Sequence, residues 1–191
     1  MKPASTMIAA AAVLLAAVNA AAETRLISKH ADWDATLRTD GKQRICYISS
    51  LPKKSTGKYK TRGEVSVIVA HWPGRKRWAE VTVNAGYAYK AKSEVVIRIA
   101  GADHRLFTAG QQAYAYKGED AKLVGAMRGG ASMIVVGVSK KGTQTADTYS
   151  LKGLSAALKA IDTQCRGKAG KSKAGKSKAK KRKTAGKRRK K

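Results

Sequence analysis

Ser50-Leu51-Pro52-Lys53 has the S-x-x-K spacing with which serine acylases set a lysine one helical turn from a nucleophile. Here Pro52 closes a strand-like run and the S-D-N partner motif is absent, so acyl transfer is not expected. Gly170 to Ser177, GKSKAGKS, fits the phosphate-cradling pattern G-x-x-x-x-G-K-[ST]. A working cradle needs a buried strand before it and a helix after it, so that backbone N–H groups converge on phosphate. Neither flank has apolar residues to build one, and the match follows from the repeat KAGKSK at 168–173 and 173–178. His30, His71 and His104 are isolated, with no pair at metal-ligand spacing. They read as surface or ordinary structural histidines; the alternative is that they converge in space. Asp32 and Asp34 flank Trp33 on a predicted strand, which suits a solvent or turn-side role better than paired acid–base work. These residues define no catalytic constellation, and nothing implies a metal or cofactor. The expectation is a protein without enzymatic activity.

The aromatics are less easily assigned. Trp72, Trp78, Tyr87, Tyr89, Tyr114 and Tyr116 interleave with Arg75, Lys76, Arg77, Lys90 and Lys92. They are expected to fill a β core and its rims; the alternative is a stacking surface for bases or sugars.

The elements that must position these residues are mostly strands. TRLISK (24–29), WDATLRT (33–39), RICYISSL (44–51), EVSVIVAHW (64–72), WAEVTV (78–83), EVVIRIA (94–100), HRLFTA (104–109), QAYAYK (112–117), SMIVVGVS (132–139) and TQTADTYS (143–150) are β-branched or alternating. Asp40-Gly41 marks a hairpin between the second and third. KKSTGKYKTRG (53–63) reads as a basic loop, GRKR (74–77) as an exposed basic tip, and AGYAYKAKS (85–93) as aromatic and turn-rich. EDAKLVGAMRGG (119–130) opens with acids, carries Arg128 near its end and has Gly129 to cap it, which predicts a short helix near 119–128. Leu151, Leu154, Leu158, Ile161 and Cys165 step by 3, 4, 3 and 4, one face of a helix near 151–165. Ser150 is the expected N-cap, Tyr149 a staple onto Leu154, and Gly153 a weakness of up to about 1 kcal/mol. The predicted fold is mainly β: an antiparallel sandwich or partly open barrel of about 8–10 short strands with two helices.

Export decides how the cysteines are read. Lys2, the apolar run Met7 to Val18 and the small residues Val18-Asn19-Ala20 or Ala20-Ala21-Ala22 form a predicted secretory leader over 1–22. The apolar run, roughly 12 residues, is too short to span a bilayer as a helix, so no transmembrane span is expected in the mature chain; an uncleaved interfacial anchor is the alternative. In an oxidising compartment Cys46 and Cys165 are expected to form a disulfide rather than remain free buried thiols. Cys46 lies in step with Ile48 on its strand and Cys165 ends the helical stripe, so the bond would staple helix to sheet.

The chain of 191 residues has 40 Lys and Arg against 12 Asp and Glu, a net charge of +28. Fifteen of those bases, and no acid, lie in 166–191, while residues 23–165 keep 24 bases against 12 acids. Both parts should meet anionic partners. With no aromatic or large aliphatic residue after Cys165, segment 166–191 is expected to be a disordered tail. Lys168, Lys171, Lys173, Lys176, Lys178, Lys180, Lys181, Arg182, Lys183, Lys187, Arg188, Arg189, Lys190 and Lys191 are its anion-binding residues, acting as a cloud of charge. A solvated solubility tail without a dedicated partner is the alternative.

CYISSLPK, the strand from Arg62 to Val69, EVTVNAGYAYK, AMRGGASMIVVGVSKKGTQTADTYSLKGLSAAL and the closing cysteine resemble the invasion-associated locus B proteins of Gram-negative bacteria. The resemblance covers most of 30–165 and implies one β-rich domain over 23–165 in the periplasm, on the outer surface or secreted. It implies an accessory role, linked in some members to host-cell invasion, and brings no catalytic residues. The lysine-rich tail departs from the family pattern. The expected function is an envelope accessory protein, with contacts to lipopolysaccharide, phospholipid or sulfated glycan, peripheral contact with a membrane included. Sequence-nonspecific nucleic-acid binding by the tail is the alternative.

Overall fold

The computed structural model describes residues 22–166. The leader and tail expectations, including all fourteen tail bases from Lys168 to Lys191, therefore fall outside the described residues, Ala22 and Arg166 apart. Eleven strands run as β1 (Glu23–His30), β2 (Trp33–Asp40), β3 (Gln43–Ser50), β4 (Lys54–Gly57), β5 (Ser66–Trp72), β6 (Arg77–Asn84), β7 (Glu94–Ile99), β8 (Ala102–Ala109), β9 (Gln112–Ala115), β10 (Ser132–Val138) and β11 (Gln144–Ser150). Helix α1 (Asp120–Gly129) precedes β10, and helix α2 (Leu154–Cys165) follows β11. The strands form one sheet in the order β1-β2-β3-β5-β6-β9-β8-β7-β10-β11-β4, antiparallel at every described pairing.

That order forces the sheet to curl. β3 and β4 stand eight places apart, about 38 Å in a flat sheet at the usual strand spacing. Only Leu51, Pro52 and Lys53 connect them, a reach of at most about 14 Å. The far edge must therefore swing back toward β3, and two further bonds hold it there. Trp33 Nε1 donates to the Ser150 carbonyl at 3.0 Å, and Asp32 N–H to the Lys152 carbonyl at 3.3 Å. The result is the partly open, barrel-like antiparallel architecture expected, with eleven strands rather than eight to ten.

Alternation sets the core. Trp33 and Ala35, Cys46 and Ile48, Val67 and Val69, Val81 and Val83, Val95, Ile97 and Ile99, and Met133 and Val135 point inward at every second position and are buried. α2 closes one flank with Leu154, Ala157, Leu158 and Ile161 against β1, β2 and β3, and the Cys46–Cys165 disulfide pins its end to β3.

Three local expectations are corrected. β4 lies inside the stretch read as a loop: its residues KSTG are short, polar and exposed, so no hydrophobic pattern announces it. It forms because the edge of β11 offers unpaired backbone groups, which Lys54 to Gly57 take up. α1 ends without a left-handed glycine, its cap Gly130 being extended. Ser150 does not cap α2; it belongs to β11, and Gly153 stands at the N-cap with φ +93°. Glycine there is required rather than a weakness, because a Cβ would overlap the His30 carbonyl oxygen. Gly153→Ala is expected to cost about 2–3 kcal/mol, seen as a lower urea midpoint at unchanged slope.

Candidate functional site: a basic cleft where three loops meet

Three loops converge at one end of the sheet: Lys58 to Val65, Ala85 to Ser93, and the hairpin turn Ser139 to Thr143. Backbone bonds lock them together. Gly63 N–H donates to the Gly86 carbonyl at 2.9 Å, and Lys140 N–H to the Ala88 carbonyl at 2.7 Å. Lys90 N–H donates to the Val138 carbonyl at 2.9 Å. Gly86 has φ +68°, and a Cβ there would meet the Gly63 carbonyl at 2.5 Å, so only glycine lets the first two loops touch.

Arg62 forms the floor. Its side chain and that of Asp147 are 5% and 4% exposed. Nη1 and Nη2 donate to the two Asp147 carboxylate oxygens, each at 2.8 Å. Nε and Nη2 donate to the Ala85 carbonyl at 3.0 and 2.8 Å. The Tyr59 and Tyr87 rings flank the guanidinium at 5.1 and 5.0 Å, and the Tyr87 hydroxyl shares a 2.7 Å hydrogen bond with Thr145. Burial pulls the Arg62 pKa down, but the bonds and charge of Asp147 outweigh it and the net shift is upward. Arg62 is thus a permanently charged, fully committed floor.

Above it opens a cleft of about 610 Å³ lined by Lys58, Lys60, Lys140 and Lys141, with Thr61, Ser139, Thr143 and the Tyr59 ring between them. All four lysines are exposed, and none pairs with a carboxylate among the described residues. Among the described residues no Asp, Glu or His side chain lines the cleft. Ammonium groups and hydroxyls on a rigid rim suit recognition of phosphate, sulfate or carboxylate.

The residues singled out from the sequence lie elsewhere and apart. The Ser50 hydroxyl is buried against its own turn, donating to the Leu51 carbonyl, while Lys53 pairs with Asp32. Asp32 stands in the turn before β2, and the hydrogen bond from Lys53 holds its carboxyl below the usual range. Asp34 pairs separately with Lys29 at 3.5 Å. His30 bonds Ser28 at 2.8 Å, and His104 is held between neighbouring strands in β8. His71 is the structural histidine of the three, 1% exposed. Its Nδ1 accepts the Ala79 N–H at 2.9 Å, so the ring proton sits on Nε2 and is donated to Asp162 at 2.9 Å. Burial lowers the His71 pKa more than Asp162 raises it. With both nitrogens used, the dyad clamps α2 to β5 and is not free to move a proton to a substrate. Among the described residues no group of three or more His, Cys, Asp or Glu could hold a metal ion.

The aromatics divide. Tyr87 and Tyr89 turn inward and meet edge to face at 5.3 Å, as core filling requires. Trp78, Tyr114 and Tyr116 take rim rather than interior positions: the Trp78 ring packs edge-on against His71 at 5.5 Å, and Tyr114 and Tyr116 lie against Phe107 on the outer face. Sequence reasoning missed the Arg62–Asp147 pair, although a signal existed. In TQTADTYS, Asp147 shares its face with Thr145 and Tyr149, and an acid in phase with a buried tyrosine needs a buried cation.

The architecture and the cleft define a class: a small, curled antiparallel β protein with a disulfide-pinned C-terminal helix and a lysine-lined rim. A family model described as Invasion associated locus B (IalB) protein matches residues 33–162, and the chain belongs to that family. The match runs from the first residue of β2 to Asp162, the partner of His71. No curated protein and no solved structure matches.

Proposed function

We propose that this protein is an exported accessory protein of the cell envelope, without catalytic activity, that binds anionic surfaces: lipopolysaccharide phosphates, phospholipid head groups or sulfated glycans. Family membership and the disulfide support a place outside the cytoplasm, in the periplasm, on the outer surface or secreted. The observation that carries the binding reading is the cleft of four lysines, paired with no carboxylate among the described residues, over the buried Arg62. In this reading the tail bases from Lys168 to Lys191 raise the local concentration of the polyanion, and the cleft holds one of its anionic groups in place.

The test is a salt titration of the full chain against heparin and against lipopolysaccharide vesicles. Reversing two charges, Lys140→Glu with Lys141→Glu, should weaken binding roughly tenfold at low salt. It should also lower the slope of log affinity against log salt by about one per lost contact. An unchanged slope would remove the cleft from the reading. Fractionation of the native organism, with non-reducing mass spectrometry, checks the compartment: a cytoplasmic protein retaining Met1 and free thiols would sink the export part.

A further inference from the structure

The outer face of the sheet carries a second recess, built from different residues. β9 and β8 are neighbours and set Tyr114 directly opposite Phe107; Trp78, four residues before Thr82, the β6 partner of Tyr114, lines the same recess farther along. Phe107 is the only phenylalanine of the chain, yet it is 40% exposed, and Trp78 is 37% exposed. The Phe107 and Tyr114 rings stand 5.7 Å apart at 32°, and the Tyr116 ring, two residues on from Tyr114, packs on Phe107 at 5.5 Å. The tyrosine hydroxyls are already committed, Tyr114 to Gln112 and Tyr116 to Glu94, so the rings offer ring faces more than polar groups. Arg166 lies over Trp78 at 4.8 Å and fixes the indole as one wall.

Between these walls runs a groove of about 650 Å³ whose polar lining is Arg77, Glu80, Lys117 and Asp120. Two cations face two carboxylates, and Arg77 pairs with Glu80 at 2.7 Å. The lining is neutral on a chain of net charge +28, so it has no preference for the polyanions that the lysine cleft selects. Asp120 spends one oxygen on the Val81 N–H at 2.8 Å and keeps acceptor capacity on the other. Exposed rings that would be more stable covered, beside a few fixed donors and acceptors, mark a ligand site. Apolar C–H faces edged by hydroxyls are the surface of a sugar. A second copy of the chain is disfavoured by repulsion between two strongly basic molecules.

We propose that this groove binds an uncharged oligosaccharide, its sugar rings lying on Phe107 and Tyr114 and its hydroxyls held by Asp120, Lys117 and Arg77. The site is independent of the anion cleft, and the experiment separates them. Full-length protein is titrated at about 0.5 M salt, where the screening length is roughly 4 Å and long-range charge attraction is suppressed. The probes are neutral hexasaccharides of glucose, galactose, mannose and N-acetylglucosamine, read by saturation-transfer NMR, with sedimentation run alongside. At least one neutral hexasaccharide should bind, about tenfold more weakly to Phe107→Ala and, as a second exposed-site variant, to Tyr114→Ala. The Lys140→Glu, Lys141→Glu pair should bind it as the parent does. The proposal fails if no neutral sugar binds or if both aromatic variants bind unchanged. It fails equally if the groove proves to be a contact between copies, seen as self-association that Phe107→Ala abolishes.

Discussion

Arg62→Ala is expected to destabilise the fold by about 3–5 kcal/mol, a large share of what a domain of this size possesses. The substitution removes the partner of a carboxylate that is 4% exposed. It also strips the Ala85 carbonyl of two donors and withdraws the cation from between Tyr59 and Tyr87. Most of the cost is the stranded charge of Asp147, not the lost attraction, because a paired ion had already been taken out of water. Two further variants test that account. Arg62→Lys should recover little, since an ammonium cannot reproduce a fork that binds both carboxylate oxygens and a carbonyl. Arg62→Met combined with Asp147→Leu should recover most of the loss, because neither charge is then left buried. Urea denaturation at neutral pH reads all three. A loss below about 1 kcal/mol in Arg62→Ala would mean that water or another cation reaches Asp147. The consequence for the cleft is direct: Tyr59 is stacked on Arg62, and the rim would lose its floor.

Replacing both cysteines, Cys46→Ser with Cys165→Ser, is expected to cost about 4–5 kcal/mol in the chain-entropy model, the bond spanning 119 residues. For a domain of this length that corresponds to a melting temperature lower by roughly 10–15 °C. The local effect should concentrate where the bond sits. Cys165 is the last residue of α2, one turn after Asp162, and the register places Cys46 opposite His71. Without the bond, the last turn of α2 is held by the His71–Asp162 hydrogen bond and the partly exposed Arg166–Asp162 pair. Hydrogen exchange should therefore quicken in residues 160–166 well before β3 and β5 open. A melting shift below about 3 °C would mean that the buried stripe of α2 holds the helix without help.

How much of this was legible beforehand varies with the kind of signal. Period-two runs such as VSVIVAHW and EVVIRI announce strands, because a sheet with one face buried sorts its residues by alternate positions. The 3–4 stripe of Leu151 to Cys165 likewise announces a helix that faces the body and carries its cysteine with it. The Asp40-Gly41 turn joins β2 to β3 as read. Illegible were features set by a neighbour distant in sequence. KSTG becomes a strand only because β11 needs an edge partner, and Gly153 becomes indispensable only because His30 lies against it.

The cleft follows the same division. Its lysines are visible in the sequence as KKSTGKYK and SKKG, but nothing local says that two loops eighty residues apart share a rim. That depends on the sheet curling until β4 lies beside β11. By itself, then, the sequence determined the elements other than β4, the facing of the cysteines, the surplus of positive charge and the family, since each is written in local spacing or composition. Only the tertiary structure decided which charges are buried and paired, which aromatics face solvent, and which lysines stand together. Those outcomes depend on distances between residues far apart along the chain, and closure of the sheet sets those distances.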